Sequence, residues 1–328
     1  MGQAPIPPTP SGTKLTGKTV IVTGGNAGLG LEAARQFLVL GVSRLILGCR
    51  SVSRGEAAAS ALRGSPEVVK TNPDAIIQVF ELDLDDYNSG LQFAARVKRE
   101  VKELDVLLNN GGIAIMSYQK SKNGHERTMQ VNCYTYVLIC LELLPLLRST
   151  AAIRGSPTRI TFVGSATQIS QNTLAKHPVA DGRNVLDHFD DRAYYNRFCR
   201  YADSKLAVSA LTRRLSTLAP SEVVVNNLCP GLVQTGLDKN LPLVLRGIMG
   251  LVRKTMARTV DEGARTLIYA TVVAGAETSG KFMQNNRIDP GAAFLNTPEG
   301  DEFVDRLWRD VVDEVATVDP SLQEYVGE

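Results

Sequence analysis

Thr23-Gly24-Gly25-Asn26-Ala27-Gly28-Leu29-Gly30 decides the fold. Before it, Lys18 to Thr23 is a short apolar run with β-branched residues, and reads as a strand. After it, Ala27 to Leu40 carries Leu29, Ala33, Ala34, Phe37 and Leu38 at helical spacing. Glycines let the joining backbone turn tightly and approach a pyrophosphate. The free N–H groups at a helix start then favour an anion. Gly24, Asn26, Gly28, Leu29 and Gly30 are therefore expected to hold a nucleotide.

Working outward, Ser43 to Cys49 reads as a second strand, followed by an Ala-rich helix through Leu62. Ala75 to Leu82 is a third strand, Tyr87 to Lys102 a helix, and Leu104 to Leu108 a fourth strand. Glu126 to Leu147 is a long, strongly apolar helix. Arg159 to Val163 is a fifth strand, Tyr201 to Leu218 a helix, and Glu222 to Leu228 a sixth strand. Gly300 to Val315 is expected to be a helix packed beside the domain. Strands alternating with helices imply βαβ units and a parallel sheet covered on both faces. The expected architecture is one Rossmann-like, doubly wound α/β domain with a mostly parallel sheet. It spans residues 17–328, after a flexible Pro-, Gly- and Ser-rich tail over 1–16. Residues 166 to 198 lack periodicity and read as a long loop. Residues 236 to 257 are apolar but dotted with Arg and Lys. A lid over a pocket is the preferred reading there, since the stretch follows a core strand; a helix lying on a membrane surface is the alternative.

Composition narrows the function classes. Of 328 residues, 44% are hydrophobic and 6% aromatic, so a large core can form and disorder is excluded. Lys plus Arg (36) nearly balances Asp plus Glu (34), without the basic excess of a nucleic-acid binder. The apolar runs are too short for an integral membrane segment. The five cysteines are an odd number without a CxxC pair, and no secretory apolar stretch opens the chain. A reducing, cytoplasmic setting with free thiols is expected. His125, His177 and His188 are scattered, so no metal is expected.

Four further patterns bear on chemistry. Gly12 to Thr19 matches the phosphate-loop string G-x-x-x-x-G-K-[ST], but a strand follows it where a helix is required, so it reads as chance. Arg50 ends the second strand, and the first acid after it is Glu56. An acid near that place would bind a ribose 2′-hydroxyl, whereas a guanidinium suits a 2′-phosphate, so NADP(H) is expected over NAD. Asp83 could accept from an adenine amino group, and Asn109-Asn110-Gly111-Gly112 reads as a close-approach loop beside the cofactor. Tyr201 and Lys205, four apart, share a helix face. A free phenol, with a pKa of about 10, is a poor base near neutrality, and a neighbouring ammonium lowers it. Tyr201 could then exchange a proton with a substrate oxygen. A second Tyr-x-x-x-Lys, Tyr118 to Lys122, falls in a polar stretch and reads as coincidence.

In order along the chain, Thr23-Gly24-(x)3-Gly28-Leu29-Gly30, Asn109-Asn110-Gly111-Gly112, Asn132, Ser165, Tyr201/Lys205 and Pro230-Gly231-(x)3-Thr235 resemble the short-chain dehydrogenase/reductase family. The match runs over nearly all of residues 17 to 290. Cys49-Arg50 and the chain length look closest to the retinol-dehydrogenase-like branch, and resemble reductases of fungal secondary-metabolite pathways. The resemblance implies that Tyr201 is the general acid in reduction, or base in oxidation. It implies that Lys205 bonds the nicotinamide ribose and lowers Tyr201, that Ser165 polarises the substrate oxygen, and that Asn132 supports a water linking Lys205 to solvent. Pro230, Gly231, Val233 and Thr235 would embrace the nicotinamide.

Three departures from the family pattern stand out. Asn-Asn-Gly-Gly replaces Asn-Asn-Ala-Gly, which is expected to loosen that loop. Ser165 follows a glycine where a second serine is commoner, leaving it the sole hydroxyl expected there. The stretch from Ser165 to Tyr201 is long, and its insertion, Gln168 to Phe198, is expected to wall the pocket.

The resulting expectation is NADP(H)-dependent reduction of a ketone or aldehyde, or the reverse, on a hydrophobic small molecule. A non-redox dehydratase, epimerase or cyclase that keeps NADP is the alternative, with an NADP sensor as a minor one. The helices from Glu126 and Tyr201 could pair across a homodimer axis, or be covered within one subunit.

Overall fold

The computed structural model describes residues 3–174, 176–234 and 257–327. Eight strands form one sheet in the order β3-β2-β1-β4-β5-β6-β7-β8. They are β1 (Thr19–Thr23), β2 (Arg44–Cys49), β3 (Ile76–Glu81), β4 (Val106–Asn109), β5 (Thr158–Val163), β6 (Val223–Cys229), β7 (Phe282–Gln284) and β8 (Arg287–Asp289). All neighbours pair parallel except β7 and β8, an antiparallel hairpin. The order reverses between β1 and β4, and in such sheets the crevice beyond the carboxyl ends at that point takes ligands.

Alternation along each strand splits the core in two. Val20, Val22, Leu45, Leu47, Val106 and Leu108 face one layer, with α1 (Gly28–Val39), α2 (Val52–Arg63) and, later in the chain, the helix Val260–Ile268. Ile21, Ile46, Leu107 and Ile160 face the other. That second layer holds the helix Tyr87–Glu100, the long helix Arg127–Arg154, the helix Arg200–Leu218 and the C-terminal helix Pro298–Ala316. The expected doubly wound architecture is thus the observed one, and the C-terminal helix starts two residues earlier than expected.

Several sequence expectations need correction. Residues 166–198 are not all loop: they contain short helical turns at Thr167–Ser170, Val185–Asp190 and Arg192–Tyr194. The helix Arg127–Arg154 is, by length and composition, apolar enough to cross a membrane, contrary to the reading from apolar run length. Its side chains are mostly buried between the sheet and the neighbouring helices. The C-terminal helix lies over the Arg127 and Arg200 helices through Phe303, Leu307, Trp308, Val311 and Val315. These two helices are therefore covered, at least in part, within one subunit. The N-terminal residues, expected as a flexible tail, lie against the domain. Ile6 and Leu15 are buried, and the Leu15 amide donates to Leu40 O at 2.8 Å.

Candidate active site

A cavity of about 690 Å³ opens at the carboxyl ends of the central strands. The turn after β1 supplies Gly24, Asn26, Gly28, Leu29 and Gly30 to its wall, and Arg50 stands at the end of β2. The loop after β4 supplies Asn110 to Ile115. The end of β5 supplies Ser165 and Thr167, the loop after β6 supplies Pro230 to Val233, and the Arg200 helix supplies Tyr201 and Lys205.

The glycine turn ends in an uncapped helix. Ala27 at the N-cap offers no side-chain acceptor, and no acid occupies the first turn. The helix-start N–H groups and their positive dipole end thus lack a protein carboxylate, as an anion site requires. Gly24 has φ +63°, and a Cβ there would meet Gly111 Cα at 2.8 Å. The two loops touch backbone to backbone. Thr23 Oγ1 accepts from the Asn110 amide at 2.9 Å and the Gly111 amide at 3.1 Å, and Asn110 Nδ2 donates to Thr23 O at 2.8 Å. Tyr136 donates to Gly111 O at 2.6 Å. A Cβ on Gly111 would lie 2.9 Å from Tyr136 Oη. The glycine that departs from the family pattern therefore does not loosen the loop. It makes room for the Tyr136 hydroxyl that pins it.

Among the described residues no carboxylate lines the cavity; Arg50, Arg127 and Lys205 are its charged groups. Arg127 was missed by the sequence reading. Its Nε donates to both oxygens of Asp85 at 3.1 Å, so its charge is already paired. Two expected cofactor residues do not line the cavity. Asn109 is buried and donates to Cys140 Sγ at 3.3 Å, and its neighbour Asn110 takes the place on the wall. Asp83 pairs with Lys122 at 3.2 Å and accepts from the Asp85 amide at 3.2 Å. Lys122 belongs to the second Tyr-x-x-x-Lys; its Tyr118 donates to Asp190 O at 2.6 Å, so that pair makes no second centre. The phosphate-loop string over Gly12 to Thr19 runs straight into β1, as its reading as chance requires.

Ser165, Tyr201 and Lys205 meet on one wall. Ser165 is not the sole hydroxyl there. Thr167 Oγ1 donates to Ser165 Oγ at 3.0 Å, and the Thr167 amide approaches the same atom at 3.3 Å. Lys205, buried, donates to Val163 O at 2.8 Å. Burial pulls its ammonium down to about 8, against an upward pull from Cys133 and Cys229. The Tyr201 phenol is raised above its ordinary value. Burial is the main cause, Cys229 adds to it, and a hydrogen bond with Ser165 opposes it. The expected lowering by Lys205 is absent from these causes: Lys205 Nζ sits 5.5 Å from the ring centroid and is bonded elsewhere.

Asn132 lies behind the wall, in a widened π turn, Gln130–Tyr134, within the long helix. Such turns often mark functional sites. Its Oδ1 accepts from the Ile113 amide at 2.9 Å, and its Nδ2 donates to Ile113 O and Ser204 Oγ at 3.0 Å. The side chain thus holds the Ile113 segment and the Tyr201 helix together. The insertion Gln168 to Phe198 does not wall this cavity among the described residues. It packs on the C-terminal helix instead: Asp310 accepts from the Val185 amide at 2.7 Å, and Arg306 donates to Ala180 O and Arg183 O at 2.7 Å. Pro230 and Val233 line the cavity, whereas Thr235 and the expected lid, but for Ala257, lie outside the described residues.

The short chain dehydrogenase family model matches residues 18–175. The short chain dehydrogenase sor7 of Hypocrea jecorina (strain QM6a) is 67% identical over 293 residues, covering 89% of this chain and 82% of its own. The short chain dehydrogenase macD of Penicillium terrestre is 39% identical and covers 96% of each chain. The solved Pseudomonas aeruginosa RhlG/NADP active-site complex overlays with a TM-score of 0.63 at 24% identity, covering 84% of this chain and 97% of that one. That last likeness speaks for the fold alone. Identity such as sor7 shows, over nearly the whole length, settles the kinship: the chain belongs to the short-chain dehydrogenases/reductases, oxidoreductases that work with a nicotinamide cofactor.

Proposed function

We propose that this protein reduces a ketone or aldehyde on a hydrophobic small molecule with NADPH, or runs the reverse oxidation, within fungal secondary metabolism. The observation that carries the reading is the convergence of Ser165, Tyr201 and Lys205 on the cavity whose far wall is the uncapped glycine turn. The residues fit the cofactor. The turn and the helix start would hold the pyrophosphate, and Arg50, with no described carboxylate on the wall beside it, suits a 2′-phosphate. Lys205 would bond the nicotinamide ribose.

The bound cofactor would supply the hydride. The chain supplies position and the proton. Ser165 Oγ, oriented by Thr167, would hold the substrate oxygen. Tyr201 would give its phenolic proton to that oxygen as the carbonyl carbon gains the hydride, and the hydrogen bond with Ser165, which favours the phenolate, would ease that transfer. A phenol raised by burial stays protonated through neutrality, as the donor role needs. Ile113, Ala114, Ile115, Leu232 and Val233 give the cavity an apolar wall, which favours a hydrophobic substrate.

The test is a 340 nm screen of NADPH and NADH against apolar ketones, aldehydes and quinones. Wild type should consume NADPH on some member, and Tyr201→Phe should lose at least about 10²-fold in kcat. Arg50→Ala should narrow the preference for NADPH by about tenfold, the worth of one charge-assisted phosphate contact. Tight NADPH binding with no carbonyl reduced would point to the non-redox alternative.

A further inference from the structure

Residues 3–6 are bonded to the loop that flanks the cavity after β6 and to the helix that follows it. The Gln3 side-chain amide makes a two-way pair with the Leu232 backbone: Nε2 donates to Leu232 O at 2.8 Å, and Oε1 accepts from the Leu232 amide at 2.8 Å. One side chain thus satisfies both polar groups of a loop residue, as a neighbouring strand would. Arg258, buried to 4% exposure, bridges the same parts. It donates to Pro230 O at 3.1 Å, to Ala4 O at 2.6 Å and to Asn285 Oδ1 at 2.5 Å. Its backbone amide donates to Leu232 O at 2.9 Å. Two more bonds seat the segment: the Ile6 amide donates to Glu262 Oε1 at 2.8 Å, and Arg265 donates to Ile6 O at 3.1 Å. Gly231 has φ +82°, and a Cβ there would collide with Gln3 Oε1 and with the Arg258 guanidinium. The glycine, the amide and the guanidinium fit as one piece.

We infer that residues 3–6 act as a strap, with Gln3 and Arg258 as positioning residues that set the Pro230–Leu232 loop against the nicotinamide. This inference rests on the functional reading above for the identity of the ligand. Pro230, Gly231 and Leu232 all line the cavity, so any displacement of this loop reaches the bound group directly. Neither Gln3 nor Arg258 lines the cavity; they act through the loop.

The test compares wild type with Gln3→Ala and Gln3→Glu, using the full chain. Hydrogen–deuterium exchange of a peptide covering 230–234, without cofactor, should be faster in Gln3→Ala. Gln3→Glu retains the acceptor for the Leu232 amide and should recover part of the protection. Calorimetric NADPH titration of Gln3→Ala should give a Kd raised about tenfold, the order expected when two ordinary hydrogen bonds no longer hold the loop. In turnover, kcat should fall and KM for NADPH should rise about tenfold while KM for the carbonyl substrate changes little; a smaller folded fraction would lower kcat alone. Unchanged exchange at 230–234 overturns the strap. Faster exchange with unchanged Kd and kcat overturns its role toward the cofactor. If wild type binds neither NADPH nor NADH while Gln3→Ala still loosens the loop, the cofactor reading fails and the strap itself stands.

Discussion

Thr167 holds the hydroxyl of Ser165 from behind, and that changes what the serine can do. With Thr167 Oγ1 and the Thr167 amide both directed at Ser165 Oγ, the serine's own O–H is left to point elsewhere. A directed donor is worth more at a reacting oxygen than a freely rotating one. Thr167→Val keeps the shape and removes the donor. It should lower kcat by about tenfold, roughly the value of one hydrogen bond, with the thermal midpoint nearly unchanged; steady-state kinetics and a melting curve on one preparation check both. The spacing Ser165-Ala166-Thr167 was visible in the sequence. What hid its meaning was the short helical turn beginning at Thr167, which folds the hydroxyl back, inside a stretch read as loop. Asn109 and Asp83 stand off the cavity wall for the opposite reason. Their positions at strand ends were right, but side-chain direction depends on register and neighbours: Asn109 faces Cys140 in the core, and Lys122 draws Asp83 aside.

At the scale of elements, a histidine adds to the bonds that hold the insertion before Tyr201. His125 Nδ1 lies 2.7 Å from Asp190 of the insertion, and Nε2 lies 2.8 Å from Glu314 of the C-terminal helix. Burial opposes the imidazolium, but the bonds to the two carboxylates outweigh it and raise His125 to about 9. The folded value exceeds the unfolded one, so the imidazolium's contribution is full below about 6.5 and is lost as pH rises through about 9. Lys205 works in the opposite sense: its folded value is lowered to about 8, so its burden eases as pH rises from there toward about 10.5. Comparing denaturant midpoints of wild type and His125→Phe at pH 6.5 and 9.5 cancels the lysine. The wild type should lose stability relative to the variant between the two. The elements that sequence missed were short or masked by composition. Strands β7 and β8 have three residues each, too few for a period to register. Their turn carried a usable signal: Asn285 and Asn286 both take positive φ, at 53° and 60°, as a two-residue hairpin loop requires. The helix Val260–Ile268 had one too. Thr259, three residues before Glu262, caps its start by accepting from the Glu262 amide at 3.1 Å.

For the whole molecule, the first six strands and their helices were legible because period 2 and period 3.6 differ strongly in long, buried segments. How the helices are covered was not, since an apolar face says only that something lies on it. Here the C-terminal helix does so, with Trp308 1% exposed and its indole N–H donating to Tyr325 O at 2.9 Å. Trp308→Ala should cost about 3–5 kcal/mol, measured by urea unfolding, because it opens a cavity where that helix meets the Arg127 and Arg200 helices.

The seat of the N-terminal segment also has a temporal consequence. Gln3 is made well before its partner Leu232, which lies 229 positions further on, and the Ile6 partner Glu262 lies 256 further. Contacts of such separation form late, since loop closure must be met before they return anything. During synthesis the glycine turn and the first strands can assemble early, while the opposite rim of the cavity must wait until residues 3–6 meet the segment from Leu232 to Glu262.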